Sequence, residues 1–209
     1  MKTNLLFAVL AGSLLALAGC SPDPKPNAYP KYDAAVDFKD DAPANATVAG
    51  GFPSVFVDKD GKTIDLKSFR GKKSVVVVVL RGVPQSFGGA FCFHCLAQMS
   101  GLLAKKDEIA RRGAEVVILF PGPAETVDQF LEQARSQTDG KPELPYPLVL
   151  DKDFAITDRL DIRGDLVKPS TYILDKKGDL MYAYVGSNPT DRPSIQAVLN
   201  QLEKLQNAK

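Results

Sequence analysis

Cys92, His94 and Cys95 fall within four positions of the stretch GGAFCFHCLAQM, residues 88–99, and they are where this chain could do chemistry. A cysteine attacks only as its thiolate. A helix N-terminus lowers a thiol pKa because its free N–H groups and dipole favour negative charge. Cysteines two residues apart let the first sulfur attack a partner and the second resolve the mixed disulfide. Disulfide exchange, peroxide reduction and metal binding could each use such a cluster. As a structural staple the pair is poor, because closing so short a loop removes little chain entropy.

Metal chemistry is short of ligands. Structural zinc takes four, and the two cysteines and one histidine of this cluster fall short. Cys92, Cys95, His94 and Met99 are soft enough for Cu(I), but Met99, one turn after Cys95, reads as core. A serine or cysteine hydrolase needs a base histidine away from the nucleophile, which the single histidine does not supply. Neither a metal nor a cofactor is expected. The 26 Lys and Arg nearly balance the 25 Asp and Glu. With no basic run, nucleic acid is not an expected partner.

The elements around the cluster read as alternating strands and helices. SVFVDKDGKTIDLKSF (54–69) is an N-terminal β-hairpin turning at Asp60-Gly61. SVVVVVL (74–80) is a β-branched run suited to a central strand buried on both faces. The loop RGVPQSFGGAF follows it. A helical pattern then runs from the cysteines to Arg112, with Leu96, Met99, Leu102, Leu103 and Ile109 at threes and fours and Gly113 placed to end it. Strands are expected at 114–120, 146–150, 170–175 and 180–186, and helices at 124–137, 153–161 and 192–206, with Pro193 in the last helix's first turn. This order predicts an α/β sandwich, a mixed central β-sheet flanked by helices. The dithiol falls at the carboxyl end of the central strand, where open α/β sheets carry their sites.

The first residues have the layout of a secretory signal peptide: Lys2, an apolar run from Leu5 to Leu17, then Leu17-Ala18-Gly19-Cys20. That ending resembles a bacterial lipobox. The resemblance implies removal of residues 1–19, lipid on Cys20, and a membrane-anchored protein in the cell envelope facing the periplasm. Ser21 in the next position implies the outer rather than the inner membrane. Residues 20–47 read as the lipidated cysteine and a proline-rich flexible tether. Residues 48–209 remain for one domain, in an oxidising compartment where disulfides persist or exchange.

The domain resembles the AhpC/TSA (redoxin, peroxiredoxin-like) group of thioredoxin-fold proteins. The likeness is carried, in order, by DKDGKTIDLKSFRGKKSVVVVVL, the Cys-X-X-Cys segment, RRGAEVVILFPGPAETVDQFLEQ, YPLVLDKD and KPSTYILDKKGDLMYAYVG. It implies a thioredoxin-like sandwich and an oxidoreductase whose partner is a protein disulfide or dithiol, or a hydroperoxide. In thioredoxin-like proteins the first cysteine, here Cys92, is the exposed attacker, Cys95 the buried resolver, and a histidine like His94 tunes the potential. Lys168-Pro169 would be the cis-proline bond that shapes the substrate groove. Arg81 and Arg163 are candidates for stabilising a thiolate or orienting a peroxide. Two departures qualify the match. VPQSFGGA separates Arg81-Gly82 from Phe91. Against the peroxiredoxin pattern Pro-x-x-x-Thr/Ser-x-x-Cys, Cys95 takes the last place, Cys92 the Thr/Ser place and Gly88 the Pro place. Thiol-disulfide exchange and peroxide reduction through Cys95 or Cys92 therefore both stay open. More remote are a passive binding module and copper delivery. Sco-type copper chaperones share the fold but use a distant histidine.

Overall fold

The protein is described from a computed structural model, which covers residues 36, 38–82, 91–136 and 143–207. All of them lie in the unit Tyr32–Lys209. The valine run forms β3 (Ser74–Val79), buried at every position. Around it the chain builds β1 (Val55–Val57), β2 (Thr63–Asp65), β4 (Ala114–Phe120), β5 (Leu148–Leu150), β6 (Ser170–Leu174) and β7 (Leu180–Val185). The five-stranded sheet has the order β5-β4-β3-β6-β7, and β1-β2 form a separate antiparallel hairpin. β3 runs parallel to β4 and antiparallel to β6, so the sheet is mixed as expected.

Successive side chains of a strand face opposite sides, so a central strand of a two-sided sheet has no polar face. Val76, Val78 and Leu80 join one core. That core also holds residues of α1 (Phe93–Ala104), α3 (Val127–Ser136) and α5 (Ile195–Asn207). Val75, Val77 and Val79 join the other, with Phe56 of the hairpin and Leu160, Ile162 and Val167 beyond α4 (Ala155–Arg159).

Some expectations are corrected. The helical pattern to Arg112 is two helices, α1 and α2 (Lys106–Arg111), broken at Lys105, whose N–H still bonds the Gly101 carbonyl. Hydrophobic spacing persists through the break, so periodicity alone did not reveal it. Pro193 precedes α5 rather than entering its first turn. Ser194 Oγ caps that helix by accepting from the Ala197 N–H at 3.0 Å. The flexible tether, read through residue 47, stops short of that point. Lys39 bridges Pro193, Asn45 N donates to the Ala183 carbonyl at the edge of β7, and Ala42 is buried beneath the Tyr182 hydroxyl. Backbone pairing to a sheet edge needs no hydrophobic periodicity, which is why composition missed it. The lipobox and most of the tether lie outside the described residues, as does VPQSFGGA. The Lys168–Pro169 bond is trans. A proline opening a strand is tolerated in that geometry, and its carbonyl accepts from Gly186 N at 2.8 Å.

Beyond β3, Leu80, Arg81 and Gly82 lead toward the dithiol. Gly82 has φ +80°, and a Cβ there would drive into the Pro121 carbonyl oxygen. Gly82→Ala combines a left-handed backbone penalty with overpacking against rigid main chain, together roughly 3 kcal/mol. Chemical denaturation should show that loss, and a change below about 0.5 kcal/mol would count against the strain argument.

Candidate active site

Cys92 is the N-cap of α1, with extended backbone. Its carbonyl takes the first bonds of the helix, from Cys95 N at 2.9 Å and Leu96 N at 3.1 Å. This puts the Cys92 sulfur at the positive end of the helix dipole. Phe91, just before it, is buried against Phe130 with ring centres 5.4 Å apart and fixes the entry of the chain. Cys92 is half-buried, and Cys95, one turn further in, is 2% exposed among Leu96, Met99 and Phe91. Both are free thiols.

Polar groups converge on the sulfurs. The Arg81 backbone N–H donates to Cys95 Sγ at 3.4 Å, which ties the end of β3 to the helix. Arg192 Nη2 donates to Cys95 Sγ at 3.2 Å and lies 3.9 Å from Cys92 Sγ. Arg192 is 1% exposed, one of the largest fully buried side chains among the described residues. Its Nη1 donates to Gln98 Oε1 at 2.5 Å and its Nε to the Pro189 carbonyl at 2.8 Å. The loop that carries it is fastened as well. Lys39 N donates to the Arg192 carbonyl at 2.8 Å. The neighbouring Asp191 carboxylate holds Lys39 Nζ at 2.7 Å, Ser187 N and Oγ at 2.8 Å, and the Tyr184 hydroxyl.

This arrangement pushes the two thiols apart. The hydrogen bond from Cys95, and then the Arg192 charge, lower the Cys92 thiol to about 4 against the opposing effect of burial. Burial, reinforced by the bond to Cys92, holds the Cys95 thiol well above its ordinary range. The reduced pair therefore carries one thiolate, on Cys92, and one proton, on Cys95.

The other expected site residues are placed unequally. The His94 ring, half-buried, stands edge-on to Phe93 with centres 5.7 Å apart. The Arg81 side chain donates from Nε to the Val167 carbonyl at 3.3 Å, which joins the β3 end to the segment holding Lys168 and Pro169. Lys168 N donates to the Ile162 carbonyl, and Ser170 Oγ to the Lys168 carbonyl. Arg163 is not gathered in. It is half-exposed, pairs with Asp158 at 2.8 Å and lies over the Phe154 ring. A carboxylate five residues upstream supplies its partner locally.

Sequence reasoning missed Arg192 and Gln98. Arg192 is 100 residues from Cys92, so no spacing connects them. Gln98 left a trace, as a polar residue on the apolar stripe of α1 that should have raised the question of its buried partner. Among the described residues no group of three or more His, Cys, Asp or Glu is placed to hold a metal ion, and no helix is long and apolar enough to cross a membrane.

Comparison with known proteins gives three results. Residues 33–183 match the pattern described as the AhpC/TSA family. The thiol-disulfide oxidoreductase ResA of Bacillus cereus is 25% identical over 191 residues, 91% of this chain and 93% of that protein. A chloroplastic peroxiredoxin Q of Triticum aestivum is 29% identical over 143 residues, 65% of this chain and 58% of that protein. Among solved structures, peroxiredoxin 6 of Arenicola marina superposes with TM-score 0.65 at 14% identity, over 78% of this chain and 74% of that one. The peroxidoxin BcpB of Mycobacterium tuberculosis does so with TM-score 0.57 at 17% identity, over 80% and 99%. At such identities the structures speak for the fold alone, which is thioredoxin-like.

Proposed function

The chain belongs to the AhpC/TSA family, and on that premise we propose that it is a thiol-disulfide oxidoreductase in which Cys92 attacks and Cys95 resolves. The observation that carries this reading is the asymmetry of the pair. One sulfur is at the half-exposed helix start and holds the negative charge, and the other is behind it and holds the proton. The likeness to ResA along nearly the whole chain supports it.

With the reduced protein, the Cys92 thiolate attacks a partner disulfide. A bond forms from Cys92 to one partner sulfur, and the other partner sulfur leaves with an electron pair. Cys95 then gives up its proton to the departing thiolate and attacks Cys92, and the bond from Cys92 to the partner breaks with its electron pair on the partner sulfur. The products are the Cys92–Cys95 disulfide and the partner dithiol, whose second proton comes from solvent. The reverse sequence oxidises a partner. His94, between the two cysteines in sequence, tunes the pair as the family resemblance implies, and the segment at Lys168 and Pro169, tied to Arg81, borders the groove for the partner chain.

A second reading has its own support, in the peroxiredoxin Q likeness and in the guanidinium beside the sulfurs, which suits a peroxide oxygen. In it one thiolate, Cys92 by its exposure or Cys95 by the peroxiredoxin alignment, attacks the O–O bond and becomes a sulfenic acid with loss of an alcohol or water. The other cysteine then displaces water to close the disulfide. The deciding experiment supplies the reduced protein with hydrogen peroxide and, separately, with a protein disulfide, and compares the two rates. Faster disulfide reduction supports the first reading, and faster peroxide consumption replaces it with the second.

Cys20 is read as a lipid anchor that keeps the domain in the cell envelope facing the periplasm, on the outer membrane. The support is the sequence Leu17-Ala18-Gly19-Cys20 after an apolar run. Cys20→Ser should leave unprocessed precursor or release the protein from membranes in fractionation. Unchanged processing and attachment would remove the anchor.

A further inference from the structure

Arg192 is a buried cation with an unusual set of partners. Nη1 and Nε point at neutral oxygens, the Gln98 amide and the Pro189 carbonyl, while Nη2 points at the two sulfurs. Among the described residues no carboxylate forms a salt bridge with it. The adjacent Asp191 carboxylate is turned to Lys39, Ser187 and Tyr184. A buried charge is costly unless an opposite charge accompanies it. Among the described residues, the only anionic partner this packing offers Arg192 is a thiolate of the dithiol.

We propose that Arg192 is a catalytic counter-cation of the Cys92–Cys95 pair, one that favours the reduced state and so makes the disulfide form an acceptor of electrons from partner dithiols. The proposal rests on the reading that the two cysteines cycle, and it goes further by giving the cycle a thermodynamic direction. When the disulfide forms, the thiolate charge disappears and Arg192 is left buried among neutral acceptors. When the disulfide is reduced, the charge returns next to it. The step balances. A partner thiolate attacks Cys92, the Cys92–Cys95 bond breaks, and its electron pair goes to Cys95, which takes a proton. The second partner thiolate then attacks its own sulfur in the mixed disulfide and expels the Cys92 thiolate beside Arg192. The partner loses two electrons and becomes a disulfide, and the remaining proton goes to solvent. Arg192 has little freedom to move away and find another anion. Its Nε is held, and its backbone bridges to Lys39.

Two measurements test this. In graded glutathione buffers, Arg192→Gln should shift the equilibrium toward the disulfide by about tenfold or more, which is a potential lower by about 30 mV. Arg192→Lys, which keeps the charge and loses the fork, should fall between Arg192→Gln and the wild type. The second measurement needs no variant. Because a higher native potential means that reduction stabilises the fold, the reduced wild-type protein should unfold at a higher urea concentration than the diamide-oxidised protein. A folded Arg192→Gln protein with the wild-type equilibrium would overturn the proposal, as would an oxidised wild type that outlasts the reduced one. A pair that never exchanges with glutathione would sink the cycling reading instead, and the urea comparison would still decide the role of Arg192.

Discussion

Cys95→Ser should accumulate covalent adducts with partner proteins through Cys92, and Cys92→Ser should lose disulfide exchange by on the order of 10³-fold or more. The two outcomes differ because the two sulfurs do different work in the geometry. Cys92 is the half-exposed N-cap with the depressed thiol, so in the proposed cycle it meets the partner first. Cys95 is 2% exposed and reaches only inward, to Cys92, Arg81 and Arg192. Without Cys95 the first bond still forms, but nothing releases it. A non-reducing gel of cells or extracts carrying Cys95→Ser should show adducts that reductant dissolves and that vanish in the double variant. The peroxiredoxin alignment predicts the opposite, because it places the reactive sulfur at Cys95. Rapid peroxide consumption by Cys92→Ser, with sulfenic acid trapped at Cys95 and no adducts from Cys95→Ser, would move the nucleophile to Cys95 and the function to peroxidase.

What the sequence made legible followed from local rules. A run of valines has no polar face to offer solvent, so it had to be central, and β3 is buried at all six positions. Two cysteines with two residues between them were visible at a strand-to-helix junction, and the structure places them there, at the start of α1. Hairpin turns at Asp60-Gly61 and Gly178 follow from carboxylates at Asp58 and Asp175 that accept backbone N–H groups, and from glycines at positive φ. The illegible features all needed tertiary partners. Arg192 reads as a surface arginine before a proline until the fold brings the loop after β7 over the start of α1. Arg163 and Arg192 are alike as letters, yet one meets a carboxylate five residues away and the other is enclosed with two sulfurs. Residues 39–46 read as tether because main-chain pairing to β7 leaves no mark on composition.

The reduced protein should alkylate at Cys92 at a rate that is nearly flat between about pH 6 and pH 8, where an ordinary thiol accelerates about 100-fold. The cause is the depressed thiol: with a pKa of about 4 it is already ionised throughout that interval, so raising the pH adds no further thiolate. The absolute rate gains much less than the ionised fraction, because nucleophilicity falls as the thiol pKa falls. The slope is therefore the informative quantity. Thiolate absorbance followed downward in pH should show a midpoint near 4 that Cys92→Ser abolishes. The same shift bears on stability, and its sign is fixed. Between the folded value of about 4 and the unfolded value of about 8.5, the unfolded chain binds a proton that the native thiolate does not. The stabilisation from Cys92 is thus complete above about pH 8.5 and drains away as the pH falls toward 4. The disulfide form has no such thiol, so this contribution to its urea midpoint should be absent. An alkylation rate that climbs tenfold per pH unit through neutrality, or a reduced-minus-oxidised stability difference that does not grow from about pH 5 to pH 8, would show that Cys92 is an ordinary protonated thiol. The low pKa also makes Cys92 a good leaving group, which speeds resolution of any mixed disulfide in the direction that expels it. A helix start, a protonated neighbour and a buried guanidinium together give one sulfur both properties, attack and departure.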